Sequence, residues 1–214
     1  MAITLNEIKK ELVNLMRSND ILSIGTRGVT TKQDTGTFTA AATHTLATTP
    51  TIVKNIRGID VDGTDLKWGE DYTINLETGV ITFTLAQTGD YVIDYDVGST
   101  DRIFPDFPQA NLTLDKFPRI AVDIKGSVAS EFGIGAAHTS STYQIAIICY
   151  SKSQEEVETM ISSIKTLLMA NKKNLHYSAF ITPTNVGSLL VSEFGEKKVF
   201  SRNQDAEVRF SIDG

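Results

Sequence analysis

The sequence predicts an α+β fold, in which a mixed or antiparallel sheet with two main helices is interrupted by an inserted, small, sandwich-like all-β module. Two segments repeat apolar residues at helical spacing, and residues 28–98 alternate β-branched and polar residues between frequent turn signals. Apolar strand patterns return after residue 117. With 214 residues the chain has room for a body, residues 1–27 and 99–214, and a module, residues 28–98.

Each of the two main helices is predicted from a capping box followed by helical periodicity. Thr4 and Glu7 have the spacing of the first box, and the helix is expected to run to about residue 18. Ser153 and Glu156 have the spacing of the second box, and Asn171 is the expected C-terminal stop. Helical spacing relates the apolar residues Leu5, Ile8, Leu12, Leu15 and Met16 in the first helix and Val157, Met160, Ile161, Ile164, Leu167 and Leu168 in the second.

Strands of the body are predicted from alternating or continuous apolar runs. These runs are 119–125, 142–150, about 177–182, 189–192 and 206–212. Residues 21–24 are expected to form a short strand or a buried linker, and residues 99–118 an ordered linker rich in Pro and Phe. Residues 126–141 are rich in Gly, Ser and Ala and are expected to form a long loop.

Within the module, turn residues separate the predicted strands. Residues 52–61 are expected to run into an Asp62–Gly63 turn, residues 71–75 to pair with 80–84, and residues 90–97 to form the closing strand. Asp60, Asp62 and Asp65 could offer oxygen ligands to calcium, but the glycine is one position short of the EF-hand order. A plain hairpin turn is the favoured interpretation.

Charge and composition narrow the class of partner. The chain carries 20 Lys and Arg against 26 Asp and Glu, a net charge of -6, and its cations are scattered rather than arranged in a stripe. This pattern disfavours tight or sequence-specific binding of nucleic acid, because such binding needs clustered cations on the phosphates. The sequence shows neither a signal peptide nor an apolar run of membrane-spanning length, so folding in the cytoplasm is expected.

Residues able to carry catalysis are isolated from one another in the sequence. His44, His138 and His176 lie in three separate segments without a second ligand at metal spacing. Cys149 lies within an apolar strand, where burial raises the thiol pKa and lowers its reactivity. Residues 133–138 match only the start of a dinucleotide-binding glycine loop. We therefore expect no enzyme activity, no catalytic or metal site and no cofactor.

Several segments together resemble the tail terminator, or tail-completion, proteins of long-tailed bacteriophages and related viruses. They are TLNEIKKELVNLMR at residues 4–17, YQIAIICYSKSQEEVETMISSIKTLL at 143–168 and AEVRFSI at 206–212. Residues 53–84 and 91–98, which include DYTINLETGVITFT, look like β-modules that recur in phage virion proteins. The likeness lies more in the order of the elements than in individual residues.

The resemblance implies a structural virion protein. Such a protein forms a ring, expected to be hexameric, at the head-proximal end of the tail tube, ends tail polymerisation and joins the tail to the head connector. The implied partners are copies of itself, the tail tube protein and the connector or neck proteins, without a membrane. We expect the protein in the virion tail or neck, and in the host cytoplasm before assembly.

Four apolar residues are candidate subunit contacts. Phe132 and Ile134 stand out as anchors in the predicted loop 126–141, and Phe104 and Phe107 lie in the linker. Two other functions stay open. The chain could be another neck, tail-tube or baseplate protein, or a carbohydrate-binding β-module on an α+β carrier. The second alternative needs an exposed aromatic platform, for which Trp68 and a few Tyr are the candidates.

Overall fold

A computed structural model of the chain describes residues 5–46, 52–98, 101–105, 117–131, 138–176, 180–194 and 197–213. The helices are α1 (Leu5–Ser18), α2 (Ile24–Arg27) and α3 (Gln154–Ala170). The strands are β1 (Thr30–Thr45), β2 (Ile52–Val61), β3 (Thr64–Asp65), β4 (Tyr72–Asn75), β5 (Val80–Gly98), β6 (Ile103–Phe104), β7 (Arg119–Glu131), β8 (His138–Ser151), β9 (Phe180–Val186), β10 (Leu190–Phe194) and β11 (Lys197–Asp213).

The fold is mainly β, with two sheets and helices in an α+β-like arrangement, which agrees with the predicted class at this coarser level. Backbone contacts group the chain into two compact units. Unit 1 comprises Met1–Leu22 and Arg102–Gly214, and unit 2 comprises Ser23–Asp101. The sequence divided the chain at residues 28 and 98 instead, and the independent folding of that segment stays a prediction.

Unit 2 contains an antiparallel sheet in the order β1-β5-β2-β3, with β4 also paired to β5. The predicted hairpin is present, with Tyr72 opposite Phe83 and Asn75 opposite Val80. β2 runs into the predicted turn at Asp62 and Gly63, where both residues have positive φ. The core of the unit consists of Phe38, Leu46, Val53, Ile56, Ile59, Val61, Tyr72, Ile81, Phe83, Tyr91, Ile93, Tyr95 and Val97.

A sharp bend divides the long β1–β5 pair. The register is regular up to Phe38 opposite Gly89 and then shifts before Ala41. At this point Ala40 has φ 50° and Gly89 has φ 123°, and the latter value is one that residues with a side chain rarely adopt. Irregularities of this kind bend a strand and increase its local twist.

The sheet of unit 1 has the order β10-β11-β8-β7-β6, with β9 also paired to β11. β6 and β7 are parallel, and the other pairs are antiparallel. The prediction of a loop over residues 126–141 was wrong for most of its length. β7 continues to Glu131 and β8 starts at His138, since both strands find backbone partners, including β11 as far as Asp213. Residues 132–137 lie outside the described residues.

The predicted helices are confirmed in position. Ser153 caps α3 by accepting a hydrogen bond from the amide of Glu156, and Asn171 is the C-cap. The returning half of the box differs from the expected one, because Glu156 contacts the Ser151 hydroxyl, which accepts a hydrogen bond from the amide of Ser153 at 3.1 Å. Thr4, the expected cap of α1, lies outside the described residues.

Residues 21–24 do not form the strand that was one of the two predicted outcomes. Ser23 caps the short helix α2 by accepting a hydrogen bond from the amide of Thr26, and Gly28 ends the helix with φ 78°. These local hydrogen bonds compete with strand formation, because a Ser cap and a left-handed Gly stabilise a helical turn. Leu22 is buried, in agreement with the buried-linker alternative.

Both main helices lie over one face of the unit 1 sheet. The side chains of Ile145, Ile147 and Cys149 are fully buried on this face. Arg202, which is opposite Cys149, donates to the carboxylate of Glu158 on α3 at 2.6 Å. A cleft lined by Asn19, Ile21 and residues of α3, and a second one between the start of α1 and Ile124 and Tyr143 on the sheet, place α1 beside α3.

Candidate assembly surface

Of the four predicted contact residues, only Phe104 lies within the described residues. It is half-buried in β6, which pairs through Ile103 and Phe104 with Ile120 and Ala121 of β7. Phe107, Phe132 and Ile134 lie outside the described residues, so their mutual arrangement stays a prediction. The described residues that flank 132–137 belong to β7 and β8, and β8 also pairs with β11.

A three-stranded arm extends the sheet of unit 1. We define the arm as residues 126–131, 138–144 and 207–213, which pair across β7, β8 and β11. Gly126 and Ser127 are exposed, Val128 is 62% exposed, and Val208 is buried. Most residues of the β7 and β8 parts of the arm are Gly, Ser, Thr or Ala. The sequence pattern therefore suggested a loop.

Among the described residues, the sheet has an unpaired strand edge at each of its two ends, and we call these its open edges. On one side the described chain pairs β10 with β11 alone, and we call the outer side of β10 the β10 edge. On the other side β6 covers β7 at Ile120 and Ala121, and beyond these residues the described chain offers β7 no second partner; we call residues 122–131 the β7 edge. Unpaired strand edges present amide and carbonyl groups that can bind another strand.

Apolar side chains are exposed at both of these edges. Leu190 is 62% and Val191 51% exposed on β10, and because they are consecutive they point to opposite faces of the sheet. At the β7 edge the exposed apolar residues are Val128 and Leu5, the latter at the start of α1 and 44% exposed. Exposed single apolar residues are ordinary. Of the five exposed large apolar side chains described in unit 1, four lie at these two edges and the fifth is Met169 on α3, so the edges are the favoured contact surface of this unit.

An open cleft of about 530 Å³ lies beside the β7 edge. Its described lining comprises Leu5, Asn6, Lys9, Ile124, Gly126, Ser127 and Tyr143. The lining is mainly apolar, and Lys9 brings one ammonium group whose nitrogen lies 3.9 Å from a carboxylate oxygen of Asp123. The cleft therefore combines apolar side chains with one ammonium group that is paired to Asp123.

The face of the sheet opposite the helices is polar. Asp123, Gln144, Asp205 and Glu207 lie on it, with side chains that are half-buried or exposed. Lys125 forms an ion pair with Asp205 at 2.7 Å. Arg209 lies on the same face and forms an ion pair with Glu207 at 3.2 Å, so the carboxylates of Asp205 and Glu207 each have a cation partner.

In unit 2 a buried ion cluster joins the two ends of the unit. Arg27 is fully buried and donates to Asp96 at 2.8 Å and to Asp101 at 2.8 and 3.3 Å. Arg57 and Thr31 donate to the other oxygen of Asp96 at 2.7 and 2.9 Å. Burial by itself lowers the pKa of Arg27, but the two carboxylates reverse this and raise it above its ordinary value. The cluster was not predicted, because its members are far apart in the sequence.

A second polar cluster, also missed from the sequence, lies at the bend of β1. His44 Nε2 is 2.8 Å from Asp34 Oδ2, and the ring of Tyr91 lies 5.0 Å from that of His44 and is stacked on Phe38 at 4.0 Å. Burial, followed by the charge of Asp34 and a hydrogen bond to it, raises the pKa of Tyr91. Tyr91 therefore stays protonated and donates to Asp34. The alternation of Asp34, Gly36 and Phe38 is the one sequence signal that places them on a common face.

This second cluster holds the two halves of β1 together. Asp34 and His44 belong to opposite sides of the bend, and Tyr91 occupies the space over Gly36, where an added Cβ would approach its hydroxyl oxygen to 2.9 Å. The carboxylate of Asp34 thus contacts the Tyr91 hydroxyl and the His44 imidazole, whose rings pack on Phe38 of the core. The cluster therefore has a structural role.

Other residues singled out from the sequence have local roles. Asp60 accepts a hydrogen bond from the amide of Gly63, and Asp62 accepts one from the amide of Asp90, so they stabilise the predicted hairpin turn. Cys149 is buried as predicted, and burial raises its pKa. Within the described residues, no group of three or more His, Cys, Asp or Glu side chains is arranged to hold a metal ion.

Comparison with known proteins adds no relative. No protein-family model and no curated protein matches the chain. Among the described residues, no helix is both long enough and apolar enough to cross a membrane. The surfaces of the chain itself therefore provide the structural basis for a proposed function.

Proposed function

We propose that the chain is a structural, non-enzymatic virion protein that forms a ring, hexameric by its resemblance to tail terminators, at the head-proximal end of a tail tube. In this position it ends tail polymerisation and joins the tail to the head connector. Its partners are copies of itself, the tail tube protein and the connector or neck proteins.

One observation carries the proposal: the sheet of unit 1 ends in two different open edges, and both expose apolar side chains. The β10 edge exposes Leu190 and Val191, and the β7 edge exposes Val128 beside an apolar cleft. When two different surfaces of one molecule bind each other head to tail, the assembly is a closed ring or an open filament. A protein that caps a tube needs the closed form.

The charge distribution supports a place next to passing DNA. On the polar face of the sheet, Lys125 and Arg209 are paired with Asp205 and Glu207, and the whole chain has a net charge of -6. Since DNA is held by cations that neutralise its phosphates, a face whose cations are engaged by carboxylates lets a duplex move past without tight binding. The proposal therefore includes no sequence-specific contact with nucleic acid.

The proposal also includes the boundaries and the position of the inserted module. We place residues 28–98, as a small sandwich-like module interrupting a body of residues 1–27 and 99–214, on the outside of the ring. A carbohydrate-binding role is disfavoured, because Trp68 is half-buried and packs against the core of unit 2 instead of forming an exposed platform. A role elsewhere in the neck, tube or baseplate is the remaining alternative.

The position of the protein in purified particles tests the proposal. Gold-labelled antibody and cryo-electron microscopy should show one ring of copies at the head-proximal end of the tail. Copies along the tube or at the distal tip would contradict the terminator role and favour the tube or baseplate alternative. Particles assembled with Phe132→Asp and Ile134→Asp together should contain unjoined heads and tails, whereas Leu85→Asp, which alters another exposed apolar residue in unit 2, should leave joining intact.

A further inference from the structure

We infer that neighbouring copies bind through the two open edges of the unit 1 sheet, with the β10 edge of one copy added to the β7 edge of the next. The inference rests on the proposed function in one respect, namely that copies of the chain are the occupant. It goes beyond it by naming the two surfaces, neither of which contains the four contact residues expected from the sequence.

The hydrogen-bonding capacity of the two edges is the first argument. β10 is five residues long and bonded on one side to β11, and the β7 edge is long enough to accept a strand of this length. Addition of a strand to an exposed edge supplies a row of backbone hydrogen bonds, while the alternating side chains determine which strand fits. One molecule therefore provides both the strand to be added and the edge that accepts it.

The distribution of apolar residues is the second argument. On β10, Leu190 shares a face with Ser192, while Val191 shares the opposite face with Glu193. At the β7 edge, Val128 is exposed on the polar face, and Leu5 and Ile124 line the cleft on the helix face.

The faces of the two edges correspond when the register of the sheet is followed. Leu190 is opposite Ser201, and Arg202, the next residue, belongs to the helix face, so Leu190 belongs to the polar face and Val191 to the helix face. A β10 strand added to the β7 edge with matching faces would therefore bring Leu190 towards Val128 and Val191 towards the apolar cleft.

Charge complementarity is the third argument. Glu193 lies on the same face as Val191 with its side chain 68% exposed and 3.8 Å from Lys198, and Lys9, which lies 3.9 Å from Asp123, lines the cleft that would receive Val191. An ion pair between the copies would exchange these two long contacts for a new one. An ion pair at the rim adds little affinity but favours the correct register over a slipped one, since a slip by one residue moves the carboxylate to the other face. The apolar residues supply the contact, and the charged residues select its register.

Cross-linking tests whether the two edges meet. Gly126 and Ser192 are exposed residues of the two edges that both belong to the polar face, and a Cβ added at Gly126 would meet open space. Lys165 is an exposed residue of α3 outside both edges. Gly126→Cys and Ser192→Cys, purified as separate full-length chains, are mixed at the highest soluble concentration with a short bis-maleimide. The native Cys149 is buried and does not compete.

A mixture of the two chains should give a covalent dimer at least about tenfold faster than a mixture of Gly126→Cys with Lys165→Cys, which corresponds to about 1.4 kcal/mol of specific contact. Covalent capture accumulates even a transient contact, so an equal rate in the two mixtures would overturn the inference. Cross-linking of either single-cysteine chain with itself at that faster rate would also overturn it, because it would indicate a symmetric contact between like edges.

The side chains of the β10 edge are tested in the same assay. Leu190→Asp with Val191→Asp, added to the Ser192→Cys chain, should reduce the cross-linking rate to that of the control mixture, while Leu85→Asp, in unit 2, should leave the rate unchanged. Circular dichroism confirms that both variants are folded. Undiminished cross-linking by the double variant would show that these residues do not form the contact.

The outcomes also separate this inference from the proposed function. Edge-to-edge cross-links in a protein located away from the head-proximal end of the tail would refute the terminator role and keep the contact. A protein located at that end without these cross-links would keep the role and refute the contact.

Discussion

The buried cluster of Arg27 gives the sharpest prediction for stability, through the substitution Arg27→Met. The guanidinium makes three hydrogen bonds to two carboxylates, at 2.8, 2.8 and 3.3 Å, in a fully buried position. Met is apolar and unbranched and can replace the aliphatic part of the Arg side chain, so the main loss is the charge that compensates Asp96 and Asp101. Removing one partner of a buried ion pair costs about 3–5 kcal/mol.

The assay follows unit 2 alone, because the one tryptophan of the chain, Trp68, packs against the core of that unit. For a domain of about 60–100 residues, 1 kcal/mol shifts the melting temperature by about 4–8 °C, so the fluorescence transition should fall by at least about 12 °C. Adding Asp101→Asn should recover part of the loss, because it neutralises one of the two carboxylates.

The matched control is Arg57→Met. Arg57 also donates to Asp96, at 2.7 Å, but its side chain is 17% exposed and Arg27 stays in place. We expect a smaller loss of about 1.5–3 kcal/mol, the value of a hydrogen bond to a charged group. A fall of less than about 4 °C for Arg27→Met, or a larger effect for Arg57→Met, would refute the assignment of Arg27 as the centre of the cluster.

Three further predictions test single features of the fold. Ser153→Ala removes the cap of α3 and should lower the free energy of unfolding of unit 1 by about 0.5–2 kcal/mol, measured by circular dichroism in urea, and an unchanged midpoint would contradict the capping role. Gly89→Ala should destabilise unit 2, because φ is 123° and the new Cβ would overlap the carboxylate of Asp62, whereas Gly58→Ala, with open space around it, should have little effect on the Trp68 transition. Cys149 should react with a thiol reagent at a pH near the ordinary thiol pKa of about 8.5 only after unfolding, since burial raises its pKa in the folded chain, and rapid reaction of the native protein would refute its burial.

Local signals were sufficient for the elements that depend on local interactions. α1 and α3 follow from periodicity and caps, and the hairpin of Tyr72–Asn75 with β5 follows from alternation and turn residues. The loop prediction for residues 126–141 was wrong because their Gly, Ser and Ala content favours a loop. Pairing between β7 and β8, and with β11 far along the chain, makes most of these residues strand. Such long-range pairing leaves no mark in a short window of sequence.

The candidate surface was harder to predict than the fold. Leu190 and Val191 belong to a short apolar run that any interior strand could contain, and their exposure follows only from the place of β10 at the end of the sheet. The pairing of Arg27 with Asp96 and Asp101 depends in the same way on the return of β5 to the start of the unit. Phe132, Ile134 and Phe107 lie outside the described residues, so their role as contacts stays a prediction.

The ion cluster also determines how unit 2 responds to mechanical tension. Arg27, near the first residue of the unit, is bonded directly to Asp101, its last residue. A pulling force applied through the two ends of the unit therefore acts first on this buried contact, and the strands between them bear no load until it breaks. In single-molecule stretching, unit 2 should resist up to the rupture of that contact and then extend in one step, and Arg27→Met should lower the rupture force.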